Sequence, residues 1–120
     1  MARKILIIED HPDTRAVMRK LLEMHGCEVY EASDDYTGIE KAIAVTPDMV
    51  FMDLAMPVLD GVHSIEAMRQ HEKLADMPIV AVTAYSDFYT ERALAAGCNE
   101  VLQKPLDFAE LLPLVDRYTI

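Results

Sequence analysis

The sequence predicts an α/β domain in which a parallel sheet is covered by helices on both faces. Short strand-like runs recur five times in 120 residues, at 5–8, 27–31, 49–52, 78–82 and 100–103. Each is followed by a stretch with helical spacing of apolar residues. The runs at 5–8, 49–52 and 78–82 are apolar throughout, as strands buried on both faces are. Right-handed crossovers between such strands make a doubly wound domain. Its ligand site is then expected beyond the carboxyl ends of the strands.

The elements follow in order. Ile5-Leu-Ile-Ile8 opens the chain as a strand, and a helix over 14–25 places Val17, Met18, Leu21 and Leu22 on one face. Gly26 stands where a helix end favours a left-handed residue. A strand at 27–31 leads to the capping signals Ser33-Asp34-Asp35 and a helix over 36–45, which Thr46-Pro47-Asp48 breaks. The third strand, 49–52, is followed by an Asp60-Gly61 turn and a helix over 62–71. The fourth, 78–82, precedes a helix over 88–96 that Gly97 stops, and 100–103 is the fifth. Asp107-Phe-Ala-Glu110 reads as a D-x-x-E capping box opening the last helix, with Phe108, Leu111, Leu112 and Val115 on its buried face.

Composition excludes several classes. Eleven Lys plus Arg against 21 Asp plus Glu give 11 − 21 = −10, a poor match for nucleic acid, whose phosphates are held by cations. No apolar run approaches the roughly 18 residues of a membrane helix. Glu9-Asp10 interrupts the first apolar run too early for a signal peptide. Cys27 and Cys98 have no ligand-spaced neighbours and read as buried free thiols. His11, His25, His63 and His71 show no ligand pairing and read as surface residues. One soluble cytoplasmic domain over 1–120, with no output domain, is expected.

Four of the five strand ends carry chemistry. Glu9-Asp10 follows the first strand, Asp53 the third, Thr83 the fourth and Lys104 the fifth; the second ends at Glu31-Ala32 with no comparable group. Each alone has an ordinary reading as a cap, a turn residue or a surface lysine. All four on one rim are a different matter. Clustered carboxylates about 4 Å apart repel by roughly 4 kcal/mol at an effective dielectric of 20, so they call for a cation. Oxygen-only donors suit Mg²⁺. A lysine opposite them suits an anion brought in beside the metal, and a hydroxyl can donate to it. A carboxylate in such company points to phosphoryl chemistry.

These residues resemble the receiver domain of two-component response regulators, over most of the chain from Lys4 to Tyr118. Residues 53–61, DLAMPVLDG, follow the family's D-x-x-M-P-x-x-D-G pattern. Glu9-Asp10 fits its acidic pair, Thr83-Ala84 its hydroxyl and small residue, and Lys104-Pro105 its K-P pair. The resemblance implies a flavodoxin-like sheet of order 2-1-3-4-5 and assigns roles. Asp53 would take a phosphoryl group from a phosphohistidine on a sensor histidine kinase or a phosphotransfer domain. Asp10, Asp53 and the Ala55 carbonyl would hold Mg²⁺, with Glu9 acting through a water. Lys104 and Thr83 would bind phosphoryl oxygens, and the Lys104–Pro105 bond would be cis.

Several positions depart from that pattern or tune it. Glu9 replaces the usual Asp. Val101 stands where the family has a ring that swings inward when the hydroxyl residue moves. Ala55 offers no side chain to hold a water and Tyr85 is bulky enough to cover the phosphoryl group, which implies slow self-hydrolysis. Pro113, within the last predicted helix, is expected to cost about 3 kcal/mol or a kink. Since Pro113 and Val101 fall on or near the face through which family members dimerise, the dimer is not carried over. The main alternative is a receiver-shaped interaction module not regulated by phosphorylation. An aspartate-nucleophile phosphohydrolase fits less well, lacking D-x-D after the first strand. A flavin carrier fits least, since Glu9-Asp10 would repel its phosphate.

Overall fold

Among the residues that the structure describes, five parallel strands form one sheet in the order β2-β1-β3-β4-β5. The structure is a computed structural model that describes residues 2–54, 61–84 and 87–119, with the backbone alone at 87–89. The chain runs β1 (Lys4–Ile8), α1 (Pro12–Met24), β2 (Glu28–Ala32), α2 (Asp35–Val45), β3 (Met49–Asp53) and α3 (Gly61–Gln70). It continues with β4 (Ile79–Thr83), α4 (Asp87–Ala96), β5 (Glu100–Gln103) and α5 (Leu111–Tyr118), with 3₁₀ turns at Glu72–Leu74 and Phe108–Glu110.

Alternation along the strands divides the core. Leu6, Ile8, Val50, Met52 and Ala81 pack with Ile65, Met68 and Ala93 on one side of the sheet. Ile5, Ile7, Phe51, Val80 and Val82 pack with Met18, Leu22, Leu111 and Val115 on the other. Both faces of β1, β3 and β4 are therefore dry, as their apolar runs require. Register sets the strand ends in a row: Ile8 lies opposite Met52, Asp53 opposite Val82, and Thr83 opposite Gln103.

The caps explain where helices begin. Asp34 Oδ1 accepts from the Thr37 amide at 2.8 Å and starts α2. Gly26, at φ 85°, ends α1 with its amide on the Glu23 carbonyl. Most boundaries shift by a single residue, and two helix starts differ by more. Helix α1 begins at Pro12 rather than at residue 14, because the His11 ring accepts from the Thr14 amide and Pro12 needs no partner for a missing N–H. Asp107 caps a 3₁₀ turn, accepting from the Ala109 amide, and α5 begins only at Leu111. Pro113 thus sits in the first turn of α5, where amides have no intrahelical acceptor, so the expected penalty does not arise. The Lys104–Pro105 peptide is cis. Cys27 and Cys98 are buried and free.

Candidate functional site

Four of the five strands, all but β2, deliver a polar residue at the point where the apolar run stops. Asp53 is the last residue of β3 and is 3% exposed. Glu9 directly follows β1, is 4% exposed, and leaves the neighbouring Asp10 exposed to solvent. Carboxylate oxygens of Glu9, Asp10 and Asp53 lie within 4.8 Å of one another. From the end of β5, Lys104 Nζ donates to Asp53 Oδ2 at 2.9 Å. Thr83 is fully buried at the end of β4, and its carbonyl accepts from the Lys104 amide at 2.8 Å. A cavity of about 440 Å³ is lined by Glu9, Asp10, Asp53 and Lys104 together with apolar Met18 and Phe51. Thr83 is absent from that lining.

The electrostatics follow from three acids meeting one ammonium. Burial, with hydrogen bonding to Asp53, pushes the Glu9 carboxyl up to about 7. Burial works against the Lys104 ammonium, yet its hydrogen bond to Asp53 and the charges of Asp53, Glu9 and Asp10 outweigh it and raise its pKa. Carboxylates no more than 4.8 Å apart repel by at least roughly 3 kcal/mol when both are ionised, at an effective dielectric of 20. Hard oxygen donors under mutual repulsion are a donor set that fits Mg²⁺, which binds through few carboxylates and keeps waters.

The structure therefore brings Glu9, Asp10, Asp53 and Lys104 together and sets Thr83 beside Lys104. Ala84 is exposed, and Pro105 is exposed on the cavity wall. Val101 is half-buried against the core on the side of α4. The expected roles of Ala55 and Tyr85 fall on positions outside the described residues. Two residues that sequence reasoning missed stand behind the acids. Arg15 Nη1 donates to the Glu9 carbonyl at 2.8 Å while its Nε donates to Glu31 Oε1 at 3.0 Å. The only signal in the sequence is an arginine one turn into α1, five residues after Asp10, a spacing any surface arginine could show.

The sequence profile of the response regulator receiver domain family matches residues 5–116. The chain belongs to that family. Among solved structures, this receiver is similar to a chemotaxis response regulator of Vibrio cholerae, at TM-score 0.91 and 27% identity over 98% of this chain and 99% of that one. It is also similar to the receiver domain of a sensor histidine kinase of Pseudomonas aeruginosa, at TM-score 0.90 and 32% identity over 99% of this chain and 98% of that one. That structure holds a magnesium ion in its active-site cleft. A hybrid signal transduction histidine kinase of Dictyostelium discoideum is 38% identical over 119 residues, covering 96% of this chain but 4% of the kinase. Phosphorylation-dependent signalling in two-component systems is the function of the family, which is not one of conventional enzymes. No helix among the described residues is long and apolar enough to cross a membrane.

Proposed function

We propose that this receiver is a phosphoacceptor switch, with Asp53 taking the phosphoryl group of a phosphohistidine on a sensor histidine kinase or a phosphotransfer domain. An Asp53 oxygen forms the new bond to phosphorus. The phosphorus–nitrogen bond breaks and its electron pair leaves with the imidazole. The observation that carries this reading is the Lys104 ammonium at 2.9 Å from Asp53 Oδ2, inside a cluster of three acids. Buried Asp53 cannot carry added negative charge unaided, and Lys104 is placed to neutralise an incoming phosphoryl oxygen.

Glu9, Asp10 and Asp53, with the Ala55 carbonyl, are the residues that would hold Mg²⁺. Bound there, the ion supplies neutralisation of phosphoryl oxygens. Glu9 would act through a water, in keeping with its burial and its tendency to hold a proton. Thr83 would donate its hydroxyl to a second phosphoryl oxygen, and exposed Ala84 leaves that side open. A bulky Tyr85, together with an Ala55 whose methyl cannot hold a water, would slow hydrolysis of the acyl phosphate. Val101 cannot swing as a ring does, so output through that face would rest on backbone movement near Thr83 and Pro105. Signalling would then proceed by protein contact or by passing the phosphoryl group onward.

The test is intact mass after incubation with Mg²⁺ and acetyl phosphate. A gain of one phosphoryl group is expected, absent in Asp53→Asn and absent without Mg²⁺. Decay of that mass should be faster in Tyr85→Ala; slower decay there would sink the shielding role. No gain with any donor would favour an interaction module that keeps the fold without the switch.

A further inference from the structure

The end of β2 carries no group that reaches the acids, yet it is tied to them through Arg15. Glu31 Oε1 accepts from Arg15 Nε at 3.0 Å, and Glu31 Oε2 accepts from Arg19 one turn further along α1. With its Nε fixed in this way, Arg15 turns its Nη1 onto the Glu9 carbonyl at 2.8 Å. The Glu9 amide in turn donates to the Ala32 carbonyl at 3.0 Å. Successive peptide units on either side of Glu9 are thus pinned, one to β2 and the next to α1.

The second of those units joins Glu9 to Asp10. Because a peptide is planar, fixing its oxygen fixes the plane from which the Asp10 Cα departs. The Asp10 side chain is exposed; beyond its contact with the Glu9 carboxyl, the backbone aims it. Arg15 is one-fifth exposed and Glu31 less than one-third, so this pair is partly shielded from solvent. A guanidinium suits the task, since its rigid fork serves two acceptors at once.

We propose that Arg15, braced by Glu31, is a positioning residue that sets the Glu9–Asp10 peptide and so the direction of the Asp10 carboxylate toward the metal. The inference rests on the reading of Glu9, Asp10 and Asp53 as the Mg²⁺ site. Removing the brace leaves every ligand in place but lets the peptide rotate. Supports of this kind typically change metal affinity by about tenfold or more.

The experiment compares the Mg²⁺ dissociation constants of the unphosphorylated wild type, Arg15→Ala, Arg15→Lys, Glu31→Gln and Arg3→Ala, followed by amide chemical shifts at a temperature where all are folded. Amide hydrogen exchange at His11, whose N–H donates to Glu9 Oε2 at 3.1 Å, is measured on the same samples without Mg²⁺. Arg15→Ala should weaken Mg²⁺ binding about tenfold and speed exchange at that amide. Arg15→Lys should recover part of the affinity, and Glu31→Gln should lose less than Arg15→Ala. Arg3, paired with Asp116 at the opposite end of the sheet, is the control. Its loss should lower thermal stability without moving the dissociation constant. An Arg15→Ala chain that binds Mg²⁺ within twofold of wild type overturns the proposal while leaving the metal site intact. Wild type that binds no Mg²⁺ overturns the site reading and the proposal with it.

Discussion

Lys104 donates to Asp53 from a side chain one-third exposed, while Asp53 is 3% exposed. Truncating the lysine removes the ammonium that balances a buried carboxylate beside two others, the costly half of breaking an ion pair. A fully buried pair would lose roughly 3–5 kcal/mol on such a change. The exposure of Lys104 reduces that to about 2 kcal/mol for Lys104→Met in urea unfolding without Mg²⁺. A loss below about 0.5 kcal/mol, within the range of ordinary surface changes, would contradict the pairing. Glu9 makes the complementary case. Its carboxyl rises from an ordinary 4.5 to about 7 in the folded chain. Between those values the folded chain keeps a proton that the unfolded chain releases, so the Glu9 contribution to stability is fully present below 4.5 and is lost as pH rises to 7. The melting temperature of wild type without Mg²⁺ should therefore fall relative to Glu9→Gln across that window and run parallel to it above. Contributions common to both chains cancel in the difference. A flat difference would mean that Glu9 is ionised like a surface carboxylate.

At the scale of elements, α2 lies on β1 through Gly38. A Cβ there would stand 2.6 Å from Ile8 Cδ1 and 2.8 Å from Ile8 Cγ1. Ile8 is fully buried and immediately precedes Glu9, so it has little room to yield. Helix propensity favours alanine over glycine by about 1 kcal/mol, whereas overpacking costs about 1–3 kcal/mol. Gly38→Ala should destabilise by about 1 kcal/mol in urea unfolding, and Ile8→Val should recover part of that loss in the double variant. A stabilised Gly38→Ala chain would show that packing here is looser than the distances indicate. The same elements show what the sequence made legible. Runs such as Met49 to Met52 exposed the buried strands, because a parallel sheet covered on both faces leaves no polar alternation, and the residues ending those runs located the acids and Lys104. The start of α5 was obscured, since Asp107 and Pro113 each suit a helix opening and only packing placed a 3₁₀ turn between them. Arg15 and Glu31 were invisible for another reason. Their target is a backbone carbonyl, and a carbonyl has no side-chain identity to read.

For the molecule as a whole, a formal charge of −10 meets a site where three of the acids converge. Self-repulsion of that size opposes compactness and is relieved by any salt. Specific binding must be separated from this screening. NaCl should raise the melting temperature gradually and in every variant. Mg²⁺ at equal ionic strength should raise it further, because a ligand that binds only the folded chain stabilises by RT ln(1 + [Mg²⁺]/Kd). At ten times Kd the linkage amounts to about 1.4 kcal/mol, or about 5 °C for a domain of this length. Asp53→Asn and Asp10→Ala each remove a ligand and one of the converging charges. Both should melt higher than wild type without metal, keep the NaCl response and lose the extra Mg²⁺ response. If Mg²⁺ and NaCl at equal ionic strength act alike on wild type, the acids hold no specific ion, and their convergence is a feature of the folded surface alone. If only the two variants lose the difference, the repulsion built into the strand ends is the driving force that draws the ion in.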